Sequence, residues 1–394
     1  MKVLIADKFP EQYIKKLRDS EIDVIYNPKL GENDLLEAAK EVDCLVVRST
    51  IVNAATIENS QNLNLIVRAG AGVNNIDIKA ANKKGVYVSN CPGKNSIAVA
   101  ELAIGLMLAL DRRIPHNVAD FKAGKWNKGE YSKADGLFGK TLAIVGYGNI
   151  GKEVAKRAQA MGMNIYAKDI SRIEGYGVKD FSEFDQIMPI ADIVTIHLPA
   201  TPQTKGLFND AMFKLMKPGA LLINTSRHDI IDEDALIKAI KEKNIKVGLD
   251  VFKGEPEAKD GPVSSKLQEI DNVYITHHIG ASTEQAQNAV AEETVNIILR
   301  YIKSGVIDHW VNRAKITDTH YQLVVKHYDK PGVLAGILDV LRDGNINIEE
   351  IENIIFEGGL VACCTMKLKT AAAADMLESF RNNPNVITYS HVSL

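Results

Sequence analysis

The sequence has few of the features that mark disulfide-rich, membrane or nucleic-acid-binding proteins. Its 394 residues include only 4 cysteines, and 47 Lys and Arg nearly balance 50 Asp and Glu, for a formal net charge of -3. This balance excludes a strongly basic nucleic-acid-binding surface. No block of five like charges occurs, so no charged tail is predicted. The length allows two or three domains.

Long apolar runs are also missing. The longest, Ile97–Leu110, is interrupted by Glu101 and is shorter than the roughly 20 residues that cross a bilayer. The first residues, MKVLIADKFP, are typical of a β-strand and not of a secretory signal. These patterns predict a cytoplasmic protein with no membrane partner.

The four cysteines do not form a recognisable ligand or disulfide pattern. Cys363 and Cys364 are adjacent, Cys44 and Cys91 are isolated, and no CxxC pair occurs. Neither a disulfide framework nor a metal site is predicted from this spacing. We expect reduced thiols that are mostly buried.

Short apolar runs alternate with helical segments over the first third of the chain. The runs that predict strands are Val3–Ala6, Val24–Tyr26, Cys44–Val47, Leu65–Val67 and Val86–Ser89. Segments between them, such as Asn33–Lys40, place apolar residues at helical spacing. This alternation indicates an α/β fold with a parallel sheet and helices on its faces.

An unusually apolar helix is predicted next. It spans Ser96 to about Leu110 and continues past Pro115 towards Gly124. A helix that is apolar on several sides has to be buried. Two explanations stay open: burial in the core of the same chain, or burial against another subunit.

A second alternation of strands and helices begins at Thr141. Six runs predict strands: Leu142–Val145, Asn164–Ala167, Ile193–Ile196, Leu221–Asn224, Val247–Val251 and Val273–Thr276. Helices are predicted between them, including Ile150–Met161 and Asp232–Lys243. Six strands joined by crossovers make one doubly wound domain. Another helix, Glu284 to about Lys303, follows, and residues 305–318 are the predicted linker.

The last part of the chain has a different order of elements. The predicted elements are strand His320–His327, helix Pro331–Asp343, strands Ile346–Phe356 and Leu360–Lys369, helix Ala371–Asn382 and strand Val386–Val392. The order βαββαβ is typical of a small ferredoxin-like unit. A unit of this size can fold, and a partner subunit would help to stabilise it, because small domains bury a smaller share of their surface.

A glycine motif in the second alternation predicts a dinucleotide site. Gly146, Gly148 and Gly151 follow a predicted strand and open a helix, which is the context that makes this motif specific. The glycines allow a tight turn, close approach of a pyrophosphate, and helix–strand packing. Asp169 follows Gly151 by 18 residues, at the end of the next strand. An acid there favours NAD over NADP, because it would repel a 2′-phosphate.

Three segments at the ends of later strands carry groups for acid–base chemistry. His278 suits a proton acceptor near neutral pH, and a carboxylate such as Glu255 would stabilise its protonated form. Arg227 can bind a substrate carboxylate through two parallel hydrogen bonds. We therefore predict His278 as the acid/base, Glu255 as its partner and Arg227 as the substrate clamp. The alternatives are a turn residue at Glu255, a surface charge at Arg227, and a packing or surface role for the neighbouring His277.

Together these motifs resemble the D-isomer-specific 2-hydroxyacid dehydrogenases. The segments that carry the resemblance, over residues 1–312, are GxGxxG with Asp169, SRxxxxDExAL at 226–236, DVFxxEP at 250–256 and HxGAST at 278–283. Within that family, VRST at 47–50, RAGAGVNNID at 68–77 and PGKNSIAVAE at 92–101 resemble the branch that oxidises 3-phosphoglycerate. HYDKPGVL at 327–334 resembles an ACT domain.

The resemblance implies an activity and a domain organisation. The activity is NAD-dependent oxidation of 3-phospho-D-glycerate to 3-phosphohydroxypyruvate, the first step of L-serine biosynthesis. The domains are a flavodoxin-like substrate domain (1–93 and 284–312), a Rossmann NAD domain (94–283) and an ACT regulatory domain (319–394). It also implies a homodimer or homotetramer with serine as an effector, and residues 305–318 would be the hinge for such regulation.

The resemblance also implies the site residues. Those for substrate are Arg48, Ser49, Arg68, Ala69, Gly70, Asn95 and Ser96. Those for NAD are Gly146, Gly148, Asn149, Ile150, Gly151, Asp169, Ser226, Arg227, His228, Asp250 and Gly280. Those for the effector are His327, Asp329 and Asn347. Independently of the family, cationic Arg48 and Arg68 at strand ends can meet a phosphate, although surface arginines are the alternative.

Two rival functions and two departures from the family pattern are noted. The rivals are a related enzyme, such as a hydroxypyruvate/glyoxylate reductase or D-lactate dehydrogenase, and a non-enzymatic NAD-sensing corepressor. The C-terminal unit has dimerisation alone as its alternative role. Ala71 stands where the family often has Thr, and His228 and Asp229 replace Gly-Gly, which puts bulk and charge at the mouth of the predicted nicotinamide pocket.

Overall fold

Three β-sheets organise the chain. The computed structural model describes residues 1–171, 173, 175, 177–181, 183–256, 261–314 and 319–394. It divides into two units, Met1–Asn312 and Arg313–Leu394. Residues 315–318 of the predicted hinge lie outside the described residues. Among the helices that are described, none has the length and apolar content required to cross a membrane.

The first sheet is parallel and has five strands. They are β1 (Lys2–Ile5), β2 (Asp23–Tyr26), β3 (Cys44–Val47), β4 (Leu65–Arg68) and β5 (Tyr87–Asn90). The helices between them are α1 (Glu11–Arg18), α2 (Glu32–Ala38), α3 (Ala54–Asn59) and α4 (Ile78–Lys84). The strand order β2-β1-β3-β4-β5 is the flavodoxin-like order, as the family resemblance implies.

The second sheet is also parallel and follows a run of helices, α5 (Ser96–Arg112), α6 (Ile114–Lys122) and α7 (Lys128–Tyr131). Its strands are β6 (Thr141–Val145), β7 (Asn164–Lys168), β8 (Val178–Asp180), β9 (Ile193–Ile196), β10 (Leu221–Asn224), β11 (Lys246–Leu249) and β12 (Val273–Ile275). The intervening helices are α8 (Asn149–Ala160), α9 (Phe184–Ile187), α10 (Asp210–Leu215) and α11 (Glu233–Lys243), and His228–Ile230 form a 3₁₀ turn. The order β12-β11-β10-β9-β6-β7-β8 reverses between β6 and β9, where doubly wound sheets bind ligands.

Helix α12 (Glu284–Ser304) returns to the first sheet. Its Val295 and Ile298 are fully buried in one core cluster with Val3 and Ile5 of β1. Thr294 also lies on α12, and its hydroxyl is 3.4 Å from the thiol of Cys91. The discontinuous substrate domain, 1–93 and 284–312, stays a proposal, which this shared core supports.

The helix predicted from Ser96 towards Gly124 is two helices in the structure, so its predicted continuity is wrong. Arg113 separates α5 from α6 with a left-handed backbone, φ +49°. Pro115 lies in the first turn of α6, and proline has no N–H to donate and clashes with the preceding turn. Within α5, Leu106 and Leu110 pack on Gly248 of β11, so burial in the chain's own core explains much of the apolar surface.

Strand β8 is absent from the sequence prediction. It has three residues, two of them exposed and charged, and it pairs with β7 at the edge of the second sheet. A strand this short and polar has no apolar alternation to reveal it.

The C-terminal unit has its own antiparallel sheet and its own core. Its elements are β13 (Tyr321–Tyr328), α13 (Val333–Asp343), β14 (Ile348–Ile355), β15 (Val361–Leu368), α14 (Ala374–Asn382) and β16 (Val386–Ser393). The sheet order is β14-β15-β13-β16, and Leu323, Ile337 and Phe380 are fully buried between sheet and helices. The predicted order βαββαβ is confirmed.

Candidate active site

The turn between β6 and α8 is shaped by its glycines. Gly146 has φ +99°, and a Cβ there would lie 2.6 Å from the carbonyl oxygen of His197. A Cβ on Gly151 would collide with the carbonyl oxygen of Gly146. Beside Gly148, in contrast, a Cβ would meet no atom within 4 Å. The turn therefore excludes side chains where it is tight and is open where a pyrophosphate would approach.

The groups around this turn suit a dinucleotide. Helix α8 begins at Asn149 without a side-chain cap, so the N–H groups of its first turn remain available to an anion. Asp169 follows β7, and its Oδ2 accepts the N–H of Tyr147, inside the glycine turn, at 2.6 Å. A carboxylate beside the turn is the arrangement that binds the ribose hydroxyls of NAD. The residues present therefore fit the cofactor that the motif predicts.

His278 and Glu255 form a hydrogen-bonded pair. His278 Nδ1 lies 2.8 Å from Glu255 Oε2, and Glu255 Oε1 accepts the N–H of Phe252 at 2.9 Å. The bond to Glu255 raises the pKa of His278, although burial opposes the shift. Burial acts to raise the pKa of Glu255, but the hydrogen bonds from His278 and Phe252 outweigh it, so that pKa is lowered. The pair thus favours an imidazolium beside a carboxylate.

Asp250 holds the loop that carries His278. Its carboxylate is buried and accepts the N–H of Ile279 at 2.8 Å, the N–H of Gly280 at 2.7 Å and the hydroxyl of Thr276 at 2.6 Å. His278 itself has φ +51°, a left-handed backbone that is uncommon for a residue other than glycine. The bonds to Asp250 on both sides of His278 restrain the loop in this conformation.

Three arginines lie together without a carboxylate partner. Arg48, Arg68 and Arg227 form no ion pair in the part of the chain that the structure describes. Burial, then the charges of Arg227 and Arg48, lower the pKa of Arg68 to about 10. The Nε of Arg68 is buried and has no hydrogen-bond partner. Because buried charges are normally paired, this cluster is suited to bind an anion.

One cleft of about 690 Å³ brings these groups together. Of the sequence-predicted residues, it is lined by Arg48, Ser49, Arg68, Ala69, Gly70, Asn95, Arg227, His228 and His278. Glu255 reaches the cleft through its bond to His278. Residues from both parallel sheets therefore meet at one site.

Ten predicted contact residues do not line this cleft: Ser96, Gly146, Gly148, Asn149, Ile150, Gly151, Asp169, Ser226, Asp250 and Gly280. Ser96 is buried, and its hydroxyl has no hydrogen-bond partner. The hydroxyl of Ser226 donates to Asn224 at 2.7 Å. The carboxylate of Asp250 accepts its hydrogen bonds from the loop that carries His278. In the structure, Ser226 and Asp250 shape the loops around the site.

The cleft also contains residues that were not predicted to contact substrate or cofactor. They are Asp7, Lys8, Phe9, Pro10, Gly72, Asn74, Asn75, Ala200, Asp229, Ala281, Ser282, Ala286, Gln287, Val290 and Ala291. Asp7 is the second residue after β1, so its place near the carboxyl end of a parallel strand was a usable signal. Gln287 lies on α12, and only the return of that helix to the first sheet brings it here.

One departure from the family pattern, His228 and Asp229, lines the cleft with Arg227. His228 Nδ1 is 3.2 Å from Asp229 Oδ1, and both side chains line the cleft. Their predicted position at the mouth of the nicotinamide pocket stays a prediction. A Cβ on Gly72, next to Ala71, would collide with the guanidinium of Arg227.

The predicted effector residues are separated within the C-terminal unit. Asn347 lies in an open depression of about 420 Å³ with Arg342 and Asn345. His327 is buried, and its Nε2 lies 3.2 Å from Asn353 Oδ1. His327 and Asp329 do not line the depression, so one copy of residues 319–394 does not form a pocket from all three.

The sequence is similar to those of known proteins. Residues 104–280 match the family model described as D-isomer specific 2-hydroxyacid dehydrogenase, NAD binding domain. The chain is 38% identical over 384 residues to the D-3-phosphoglycerate dehydrogenase of Methanocaldococcus jannaschii, covering 96% of this chain and 71% of that protein. It is 40% identical over 301 residues to the hydroxypyruvate reductase of Thermotoga maritima, covering 76% of this chain and 97% of that protein.

A solved structure supports the same assignment. The NAD⁺-bound 3-phosphoglycerate dehydrogenase of Entamoeba histolytica superposes with a TM-score of 0.67 at 29% identity, covering 79% of this chain and 99% of that one. The chain spans only 64% and 50% of two other D-3-phosphoglycerate dehydrogenases that it matches. From its glycine turn, its strand-end residues and these relatives, the chain belongs to the D-isomer-specific 2-hydroxyacid dehydrogenase family of NAD-dependent oxidoreductases.

Proposed function

We propose that this protein oxidises 3-phosphoglycerate to 3-phosphohydroxypyruvate with NAD, the first step of serine biosynthesis. The observation that carries this proposal is the position of Arg48 and Arg68. Both lack a carboxylate partner in the described structure, and both line the cleft that holds Arg227 and His278. An unphosphorylated hydroxy acid needs one cation for its carboxylate, whereas a phosphorylated one gives the further cations a ligand. The names of the archaeal and amoebal relatives agree with this substrate.

In the proposed mechanism, His278 moves the proton of the substrate's hydroxyl. Glu255 holds Nδ1 of the imidazole, so Nε2 is the nitrogen available to the substrate. During oxidation the neutral imidazole accepts the hydroxyl proton, and in reduction the imidazolium returns it. Arg227 binds the carboxylate and orients the C2 carbon. When bound, NAD supplies the acceptor for the hydride from C2.

The phosphate of the substrate and the cofactor bind to different parts of the site. For the phosphate we propose Arg48 and Arg68, with Ala69, Gly70 and Asn95 nearby. For NAD we propose the glycine turn, the first turn of α8 and Asp169. Ser96, Ser226 and Asp250 shape the surrounding loops, which keeps the reacting groups in place.

The C-terminal unit is proposed to be an ACT-type regulatory domain that responds to serine. Its βαββαβ order and the depression at Asn347 support this proposal. His327, Asp329 and Asn347 come together only if a second copy completes the site. We also propose a homodimer or homotetramer, supported by Trp126 and Phe138, which are 81% and 87% exposed. A cytoplasmic location stays a proposal.

The test is a comparison of substrates in the reductive direction. NADH consumption is measured with 3-phosphohydroxypyruvate, hydroxypyruvate, glyoxylate and pyruvate, each with and without serine. We expect the highest kcat/KM for the phosphorylated acid, with inhibition by serine. Preference for hydroxypyruvate or glyoxylate would refute the substrate and favour a reductase like that of T. maritima. Cofactor binding without turnover of any acid would favour the NAD-sensing alternative.

A further inference from the structure

The carboxylate of Asp7 is enclosed by the loop that carries Arg48. Asp7 follows β1 and is only 6% exposed. Its Oδ2 accepts three successive backbone N–H groups, from Arg48 at 2.7 Å and from Ser49 and Thr50 at 3.0 Å each. Its Oδ1 accepts the hydroxyl of Ser49 at 2.9 Å. Both oxygens are therefore committed to residues 48–50.

This arrangement is an anion-binding nest that the protein fills with its own carboxylate. Successive N–H groups that converge on one point form a concavity with partial positive charge, which binds anions. Burial acts to raise the pKa of Asp7, but the backbone hydrogen bonds from residues 48–50 outweigh it, so that pKa is lowered. Asp7 is therefore ionised at neutral pH, and its bonds to the nest are charge-assisted.

A second contact holds the other side of the same loop. Asn75 donates its side-chain N–H to the carbonyl oxygen of Thr50 at 2.8 Å, and its own carbonyl oxygen accepts the N–H of Val52 at 2.7 Å. Asp7 and Asn75 both line the cleft. Asp7 thus holds the N–H groups of the loop between β3 and α3, and Asn75 holds one of its carbonyl oxygens. Both contacts lie next to Arg48, which lines the cleft.

The hydrogen bonds of Ser49 change its predicted role. Its backbone N–H and its hydroxyl both donate to Asp7, so neither is free to donate to a bound phosphate. Arg48 and Arg68 remain as charged donors there, and Lys8, next to Asp7, also lines the cleft. Ser49 contributes to substrate binding through the loop that it helps to hold.

We propose that Asp7 is a positioning residue for recognition of the substrate's phosphate. It fixes the backbone of residues 48–50, which directs Arg48 into the cleft, and it closes a nest that would otherwise bind the phosphate in the wrong place. The proposal rests on the proposed function, because it assigns the phosphate to Arg48 and Arg68.

The test compares Asp7→Ala and Asp7→Asn with Asp43→Ala. Asp43 is the matched control, because its carboxylate also accepts a backbone N–H, that of Lys2 at 2.7 Å, but at the opposite end of β3. In Asp7→Ala we expect KM for 3-phosphohydroxypyruvate to rise about tenfold or more, the loss expected when a hydrogen bond to a charged group is removed. We expect kcat to stay within about threefold and KM for NADH to stay unchanged, because the acid/base pair and the glycine turn are untouched.

The isosteric variant and a binding measurement complete the design. The amide oxygen of Asp7→Asn still accepts the N–H groups, so its rise in KM should be smaller, and it keeps the test valid if Asp7→Ala does not fold. Inorganic phosphate should raise the melting temperature of Asp7→Ala more than that of the wild type, because the opened nest binds it. Asp43→Ala should lower the melting temperature without changing either KM.

Three results would overturn the proposal. They are an unchanged KM for the phosphorylated substrate in both Asp7 variants, a parallel loss of kcat and of NADH affinity, and an equal effect of phosphate on wild type and Asp7→Ala. The phosphate measurement needs no turnover. If the wild type prefers unphosphorylated acids, the proposed function fails, while the melting data still decide whether Asp7 closes the nest.

Discussion

At the residue scale, the bond between His278 and Glu255 determines how the reaction depends on pH. The ordinary pKa of a histidine is 6.5, and Glu255 raises that of His278 above this value. Oxidation needs the neutral imidazole and reduction needs the imidazolium. The bond therefore favours reduction near neutral pH and shifts the onset of oxidation to higher pH.

We expect kcat/KM for oxidation to rise with pH through an apparent pKa above 6.5, and Glu255→Gln to move that midpoint to lower pH. The neutral amide removes the negative charge that stabilises the imidazolium. The measurement is the pH profile of both variants in the oxidative direction. As a control, His278→Gln should lose on the order of 100-fold in kcat. An unchanged midpoint in Glu255→Gln would assign the titration to another group in the cleft.

Single residues differ in how far the sequence reveals their roles. Arg227, Glu255 and His278 stand in motifs at strand ends, and strand ends of a parallel sheet converge. The bonds of Asp7 join residues 41 to 43 positions apart, and they depend on β1 lying beside β3. No local pattern contains that pairing. The same holds for Asp250, whose carboxylate holds a loop 29 and 30 residues downstream.

At the element scale, two lysines cap helix ends in the same way. One lies in the part of the chain that forms the first parallel sheet, and the other in the part that forms the second. Lys84, the last residue of α4, donates to the carbonyl oxygens of Ile57 and Glu58 at 2.6 and 3.0 Å and to that of Ser60. Lys243, the last residue of α11, donates in the same manner at the end of α10. Each ammonium satisfies carbonyls that a helix end leaves unpaired and interacts favourably with the helix dipole.

We expect Lys84→Met to lower the free energy of unfolding by about 1–2 kcal/mol, because the methionine keeps the apolar stem and removes the charged donor. Lys83→Met is the matched control: it removes the neighbouring charge, which makes no side-chain hydrogen bond among the described residues, and should change stability by less than about 0.5 kcal/mol. Denaturant unfolding measures both variants. Equal effects would show that the loss comes from helix charge and not from the cap.

Element boundaries follow from the sequence where apolar periodicity is strong. The buried strands β3 and β4 and the helices α8 and α11 lie within a residue or two of their predictions. The break at Arg113 was missed, because the apolar pattern continues while the backbone turns left-handed. Strand β8 was missed because its pairing with β7 is decided by the sheet and not by its own residues.

At the scale of the whole molecule, the two units have separate cores. The clusters of buried apolar residues in the two parallel sheets lie within residues 1–312, and the C-terminal cluster lies within Tyr321–Tyr389. Every residue that lines the cleft comes from the first unit. Catalysis and the proposed regulation are therefore built on different parts of the chain.

We expect a chain that ends at Asn312 to fold, to bind NADH and to reduce its substrate with a kcat within about threefold of the full chain, because its core and cleft are intact. It should lose any response to serine. NADH binding and steady-state kinetics with and without serine measure this. Loss of NADH binding in the shortened chain would contradict the independence of the two units.

The sequence predicts the sheets and the order of their elements better than it predicts how distant elements pack together. Alternating strands and helices predict two parallel sheets, and the glycine motif identifies the second as the nucleotide-binding one. The strand orders and the C-terminal order of elements agree with the sequence. Periodicity does not indicate that Val295 and Ile298 complete the core of a sheet that begins at Lys2, since that contact joins the two ends of the first unit. A domain made of residues 1–93 and 284–312 was expected only from the family resemblance.

The return of α12 to the first sheet has a consequence for synthesis on the ribosome. The strands up to Asn90 are made long before Glu284–Ser304, and at 5–20 residues per second the wait is roughly 10 to 40 s. During that time the apolar face around Val3, Ile5 and Cys91 has no permanent cover. The nascent chain therefore exposes an apolar, aggregation-prone surface, which chaperones would shield until α12 emerges.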